Sequence, residues 1–392
     1  MRRLASAFGL AAVALVAWFG AAAAASAASP ELRVAGAEQR VFVWKHDACT
    51  AQEYPDTPAR AFRDDRGRVQ LLIAHEETRR FVGPSFDRLR HDCRVVFGSS
   101  RNPDPAAFDD REWLGTPYAL GTGRTVVALV HDEYQGYLHP GRCPSGSYTK
   151  CWYNAVTLAV SRDGGDSYRH TPPLAQLVAA YPLRYVPDTG PVGIFEPSNI
   201  VRNPSDGYYY AVVQMIGPGR NPSGTCVMRT TNLLDPRSWR AWGGAGFGLR
   251  FVNPYRESGG KVCQAVAKPE IADMNESLTF NTVLKKFMLV GASSAPDPAT
   301  GAAVHGIYYS LSDDLVTWTQ RRLLLRAQLP WTVRCDGRRP IAYPAVLDPA
   351  STSRNFETTG RRFFLYFTRF NGGCRLTSDR DLVRVPVAFG QG

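Results

Sequence analysis

The sequence predicts an all-β chain folded as a five-bladed β-propeller in a single domain, and three observations carry that prediction. One pattern recurs five times: an opening with a polar or aromatic residue near Pro or Ser, an apolar strand, a turn and a second apolar strand. The apolar runs are short, β-branched and aromatic, and are bounded by turn residues, as strands are. Four copies are followed by a closing segment that combines an Asp or Asn turn with an aromatic anchor.

The first copy runs from Asp56-Thr57-Pro58 through the turn at Asp64 to Gly67 into Val69 to Ile73. The second passes Glu112 and Thr116-Pro117-Tyr118, turns at Gly121 to Gly123 and continues as Thr125 to Val130. The third opens at Glu196-Pro197-Ser198-Asn199, turns at Asp206-Gly207 and returns as Tyr208 to Val213. The fourth opens at Asn275-Glu276-Ser277, turns at Asn281 and returns as Lys286 to Val290. The fifth opens at Tyr343-Pro344-Ala345 and, after a longer turn, returns as Phe363 to Phe367. Openings lie roughly 55 to 85 residues apart, more than the ~40–50 of common propeller repeats, which predicts long loops between strands.

Residues 1–27 read as a secretory signal: Arg2-Arg3, an apolar run, then small residues ending at Ala25-Ser26-Ala27. A flexible segment, 28–40, is expected to precede a propeller over 41–392. Val41 to Trp44 and Val383 to Val387 are leftover strands, expected to pair so that the N- and C-termini close the ring without an open sheet edge. No second apolar run is long enough for a transmembrane anchor. A secreted, periplasmic or extracellular location and a monomer are the expectations.

All eight cysteines lie after the signal, and an even number in an exported chain reads as disulfides. Cys143 and Cys151 bracket one short loop, and locality within blades gives the sequential pairs 49–93, 226–263 and 335–374. Zinc is the competing reading, but no CxxC or clustered Cys/His pattern occurs. The net charge of +11 comes from dispersed Arg rather than a basic run, which points away from nucleic acid. No Walker loop, dinucleotide fingerprint, GxSxG or HExxH is present.

In a propeller the innermost strands line the central channel, and their openings face one end of it. The five openings bring Asp56, Glu112, Glu196, Glu276 or Asn275, and Tyr343 to one funnel. Carboxylates from successive blades are what glycoside hydrolysis needs, one ionised and one protonated. In these openings the chain resembles the five-bladed glycosidase propellers of the arabinanase, xylosidase and invertase clan. The segment Ser161-x-Asp163-x-Gly165-x-Ser167-Tyr168 resembles the Asp box of sialidases, a turn on the outside of a blade. The clan resemblance implies Asp56 as base, Glu112 as modulating carboxylate and Glu196 as acid, although Glu112 stands where the clan has Asp.

Two histidine clusters follow equivalent strands of neighbouring blades: His75-Glu76-Glu77, and His131-Asp132-Glu133-Tyr134 with His139 in the next loop. Equivalent positions rotate onto one face of a ring, so His75, His131, Tyr134 and His139 are candidate substrate contacts. Arg60 is expected to clamp a sugar carboxylate or to pair with Asp56, and Tyr343 to line the funnel. No cofactor is expected, and a divalent cation in the funnel is left open. The partner expected is a carbohydrate. The alternative function is a non-catalytic propeller that binds glycan or cell-envelope components through rim aromatics, Trp113, Tyr134, Tyr137, Trp152 and Tyr153 among them.

Overall fold

The computed structural model describes residues 30–170, 175–333 and 335–390. The expected secretory signal lies outside the described residues. Two strands, β1 (Leu32–Val34) and β2 (Gln39–Phe42), precede a first antiparallel group of β3 (Arg60–Arg63), β4 (Val69–Ile73), β5 (Glu77–Gly83) and β6 (Arg90–Gly98). The β3–β4 turn forms because the Asp64 carboxylate accepts the main-chain N–H groups of Arg66 and Arg68 at 3.0 and 2.9 Å, while Gly67 takes φ 73°.

A second group consists of β7 (Arg111–Leu120), β8 (Thr125–Gln135) and β9 (Trp152–Ser161), with β10 (Arg169–His170) and β11 (Leu177–Ala180) both paired to β9. In the third group, β12 (Val192–Phe195) and β13 (Val201–Arg202) both pair with β14 (Tyr209–Ile216), followed by β15 (Ser223–Thr230) and β16 (Arg240–Ala241). A parallel contact, Val192 opposite Tyr153 and Gly193 opposite Asn154, joins the second and third groups into one sheet. Gly193 has φ 141°, and a Cβ there would lie 2.2 Å from the Asn154 carbonyl oxygen, so only glycine allows this junction.

The fourth group is β17 (Ser277–Asn281), β18 (Lys286–Pro296), β19 (Ala303–Ser312) and β20 (Arg322–Arg326). The fifth combines β21 (Ile341–Leu347), β23 (Arg362–Phe370) and β24 (Arg380–Phe389), while the short β22 (Thr358–Thr359) pairs in parallel with β17. β1 and β2 both pair antiparallel with β24.

Apolar layers fill the spaces between successive groups. Phe62 and Leu72 meet Leu114 and Ala128. Leu129 and Val156 meet Ile194 and Val213. Val212 and Val227 meet Leu278 and Leu289. Val290 and Ile307 meet Val346 and Leu365. Leu347 and Tyr366 of the fifth group meet Leu71 and Phe81 of the first. The inner strands, such as β4 and β8, therefore bury both faces, which explains why their sequences read as continuous apolar runs.

Two terminal expectations need correction. Trp44 starts a helical turn, Trp44–Asp47, rather than ending a strand, because the Asp47 carboxylate accepts the Val43 N–H at 2.7 Å and Asp381 accepts that of Trp44 at 3.0 Å. The segment expected to be flexible contains β1, whose Leu32 is 1% exposed and donates its N–H to the Tyr309 hydroxyl. The four disulfides pair Cys49 with Cys93, Cys143 with Cys151, Cys226 with Cys263 and Cys335 with Cys374. Among the described residues no helix is long and apolar enough to cross a membrane.

Candidate active site

Asp56 precedes β3 and is tied there by its main-chain N–H to the Ala74 carbonyl. Its carboxylate collects donors from distant parts of the chain. The Tyr343 hydroxyl donates at 3.0 Å, the Trp113 indole Nε1 at 3.3 Å, and the Arg380 guanidinium makes a close ion pair. His75 Nε2 lies 3.9 Å away. Tyr343 can reach inward because β21 is irregular between Ala342 and Ala345, where Tyr343 takes φ 55°. Burial and the Asp56 charge hold the Tyr343 phenol well above its ordinary range, so it remains a donor. Arg380 is steadied by the faces of Tyr54 and Phe370, at 4.4 and 4.5 Å.

Glu196 stands in the gap between β12 and β13, where the innermost strand of the third group leaves its ladder. It is partly buried, and its Oε1 is enclosed without a hydrogen-bond partner among the described residues. Burial pushes its carboxyl well above the usual range; the Arg60 charge opposes this, and the charges of Glu276, Asp56 and Glu133 add to it. Glu276, immediately before β17, is pushed up to about 7 by burial, against hydrogen bonds from the Ala292 and Asn275 N–H groups at 2.9 and 3.1 Å. Arg60 opens β3, donates to the Glu276 carbonyl, and has its own pKa lowered by burial.

The third wall comes from β8. His131, Glu133 and Gln135 alternate onto one face, and their cross-strand neighbours Asn154 and Trp152 share it. His131 is held by Asn154 Oδ1 at 2.7 Å, and burial pushes its pKa down to about 4. Glu133 accepts from Gln135 Nε2 at 2.6 Å, and burial pushes its carboxyl up to about 8, with the Asp56 charge adding. Burial likewise lowers His75. Both rings are therefore neutral near pH 7. Trp113 lies between them, its ring centroid 6.0 Å from each. Further round, Phe195 meets Trp152 edge-on at 5.1 Å, and Tyr148 stacks on Trp152 at 4.9 Å.

Of the residues expected from sequence, Asp56, Glu196, Arg60, His75, His131 and Tyr343 are brought to one place. Glu112, Tyr134 and His139 are not. The cause is the two-residue period of a strand. Glu112 adjoins Trp113 and points the opposite way, where it lies 2.9 Å from His170 Nε2 and accepts from Thr157 at 3.1 Å. Burial pushes this carboxyl up to about 7. Tyr134 adjoins Glu133 and stacks on His139, which lies 2.9 Å from Asp110. The guanidinium on Asp56 belongs to Arg380, whereas Arg60 serves Glu196 and Glu276.

Sequence reasoning undervalued Glu276 and Glu133 and missed Arg380. Glu276 occupies the same opening as Glu196 one repeat earlier, and Glu133 lies two residues beyond His131, so both had a signal in the repeat. Arg380 starts a C-terminal strand 324 residues from Asp56, and nothing local marks it.

No family model matches the chain, and no curated protein matches it. Solved structures do. A glycosyl hydrolase from Bacteroides ovatus aligns over 92% of this chain and 94% of its own, with 10% identity and a TM-score of 0.50. An α-L-arabinanase from Cellvibrio cellulosa complexed with arabinohexaose aligns over 82% and 91%, with 11% identity and a TM-score of 0.43. The catalytic domain of a GH62 α-L-arabinofuranosidase from Coprinopsis cinerea aligns over 92% and 97%, with 9% identity and a TM-score of 0.45. The structures to which this chain is similar are glycosyl hydrolases, and with the first of them it shares an all-β fold over nearly its whole described length.

Proposed function

We propose that the chain is an exported, five-bladed β-propeller that hydrolyses glycosidic bonds of an oligosaccharide or polysaccharide in this funnel. The five strand groups are its blades, and the pairing of β1 and β2 with β24 closes the ring. Four disulfides fit an oxidising compartment.

One observation carries the reading: a carboxylate gripped by donors, Asp56, lies near enough for its charge to act on a carboxyl that burial holds well above the usual range, Glu196. Glycoside hydrolysis divides its work in this way. Glu196 gives its proton to the departing glycosidic oxygen, and its enclosed Oε1 is free of competing partners. Asp56 acts at the anomeric carbon, directly or through a water, while Tyr343 and Arg380 hold its orientation. Burial is the main reason Glu196 stays protonated, and the Asp56 charge adds to it. Arg60 sets the opposite limit.

The remaining wall suits a neutral polyol. His75 and His131 offer uncharged ring nitrogens, and Trp113, Trp152 and Tyr148 offer flat apolar faces beside polar tips. The test is a glycan-hydrolysis screen on the purified protein with Asp56→Asn and Glu196→Gln as controls. Glycan bound but never cleaved by the parent protein would favour the binding propeller, and activity indifferent to both substitutions would refute the assignment.

A further inference from the structure

Far from the funnel in function, the outer edge of the first strand group carries a disulfide with an acid–base pair beside one of its sulfurs. β6 is the outermost strand there, and its ladder with β5 slips: Thr78 pairs with Phe97, but Arg80 pairs with Asp92. The intervening residues of β6 bulge outward, so Cys93 is exposed while its bonded partner Cys49 is partly buried. An incoming reagent therefore meets the sulfur of Cys93.

The sulfur of Cys49 faces a different environment. His91 Nδ1 lies 3.7 Å from Cys49 Sγ, and His91 Nε2 lies 2.6 Å from Glu53 Oε1. The other oxygen of Glu53 accepts the Cys49 main-chain N–H at 2.6 Å. Glu53 is 1% exposed, and the imidazole stacks on Phe81 at 4.7 Å with Phe42 edge-on at 5.9 Å. The ring is thus fixed in position, and its far nitrogen is committed to a carboxylate, which leaves Nδ1 facing Cys49 Sγ. The other disulfides for which neighbours are defined differ. Cys143 and Cys151 face the Asp188 carboxylate at 3.9 and 3.3 Å, which disfavours a thiolate, and Cys263 faces the Met215 thioether at 3.6 Å.

We propose that Cys49–Cys93 is a site of thiol–disulfide exchange, with a small thiol or a protein dithiol as co-reactant and His91 as proton donor to the leaving sulfur. The attacking thiolate forms a new S–S bond to Cys93 Sγ, and the Cys49–Cys93 bond breaks. Its electron pair passes to Cys49 Sγ, which takes the proton from His91 Nδ1. The products are a mixed disulfide on Cys93, a thiol at Cys49 and a neutral His91 still bonded to Glu53. Exchange is fast where the attacked sulfur is accessible and the leaving sulfur is stabilised, and this site separates those two requirements between its two cysteines. Arg79, which is buried, donates to the Cys93 carbonyl at 3.1 Å and pairs with Glu77 at 2.9 Å, so it holds this edge in place without leaving a free charge beside the disulfide.

The experiment exposes the full, purified protein to reduced glutathione, traps free thiols with an alkylating agent at intervals, and maps all eight cysteines. The expected result is that Cys49–Cys93 opens first, with glutathione on Cys93 and the alkyl label on Cys49. His91→Ala is expected to slow that opening about tenfold or more, in line with loss of a general acid, while Cys143–Cys151 opens at an unchanged rate. His91→Phe preserves the stack on Phe81 and should slow it equally, which separates proton donation from packing. Glu53→Gln tests the positioning role through the same readout. Opening of Cys49–Cys93 no faster than the other disulfides, glutathione on Cys49, or parent-like rates in both His91 variants would overturn the proposal.

Discussion

The Trp113 indole donates to Asp56 at 3.3 Å and so ties the second strand group to the opening of the first. The Tyr343 hydroxyl does the same from the fifth group at 3.0 Å. Asp56 is thereby a shared anchor for three strand groups.

Replacing Asp56 with Asn should keep the size and lose the charge. Glycan turnover is expected to fall on the order of a hundredfold or more, as it does when acid–base function is lost. Retained affinity for uncleaved glycan, measured by calorimetry, is the accompanying expectation.

Glu196→Gln should also lower turnover about a hundredfold or more, but with a substrate-dependent signature. Glycosides whose leaving group needs no protonation, such as activated aryl glycosides, should lose much less. Comparing the variant on an aryl glycoside and on a natural linkage checks this.

Stability should fall between pH 6.5 and 8. Glu276 and Glu133 have native pKa values raised from 4.5 to about 7 and about 8, so the folded state holds protons that the unfolded state has already released. Such groups favour folding most below their unfolded pKa and lose that contribution as pH rises towards the native value. The lowered His131 and His75 act the other way, but only below the ordinary histidine value of 6.5. Thermal melts across pH 6 to 8.5 should show a falling Tm, and Glu133→Gln should flatten the fall.

Removing the Cys143–Cys151 bond with a double Ser substitution should cost about 2–3 kcal/mol, the loop-closure value for so short a loop. It should also loosen Tyr148, which the loop carries against Trp152. Denaturant titration reads the first effect, and weaker glycan binding with little change in kcal-scale ranking of glycans reads the second.

Gly193→Ala should destabilise the junction of the second and third groups by more than about 2 kcal/mol, since a Cβ cannot pass the Asn154 carbonyl and φ 141° suits only glycine. The same substitution should depress turnover, because Phe195 and Glu196 follow directly. Circular dichroism melts and kinetics on one preparation test both parts.

The repeated openings were legible in the sequence because each combines turn chemistry with an apolar run, and they located Asp56, Glu196 and Tyr343. The face on which a residue lies was harder to read. Glu112 and Trp113 differ by one position, and strand period alone sends the carboxyl to His170 and the indole to Asp56. A bulge between Leu114 and Thr116 in the same strand means that simple alternation cannot be counted through from the turn. Arg380 was invisible for another reason: its contact with Asp56 exists only once the two ends of the chain come together.

The break between β12 and β13 has a broader meaning. Regular ladders constrain every side chain on them, since a change of direction at one position disturbs its neighbours. Glu196 in that gap, Tyr343 in an irregular stretch and Asp56 ahead of its strand stand where no ladder dictates their aim. These three positions can therefore change identity with less disturbance of strand pairing than His131 and Glu133, which stand within the β8–β9 ladder.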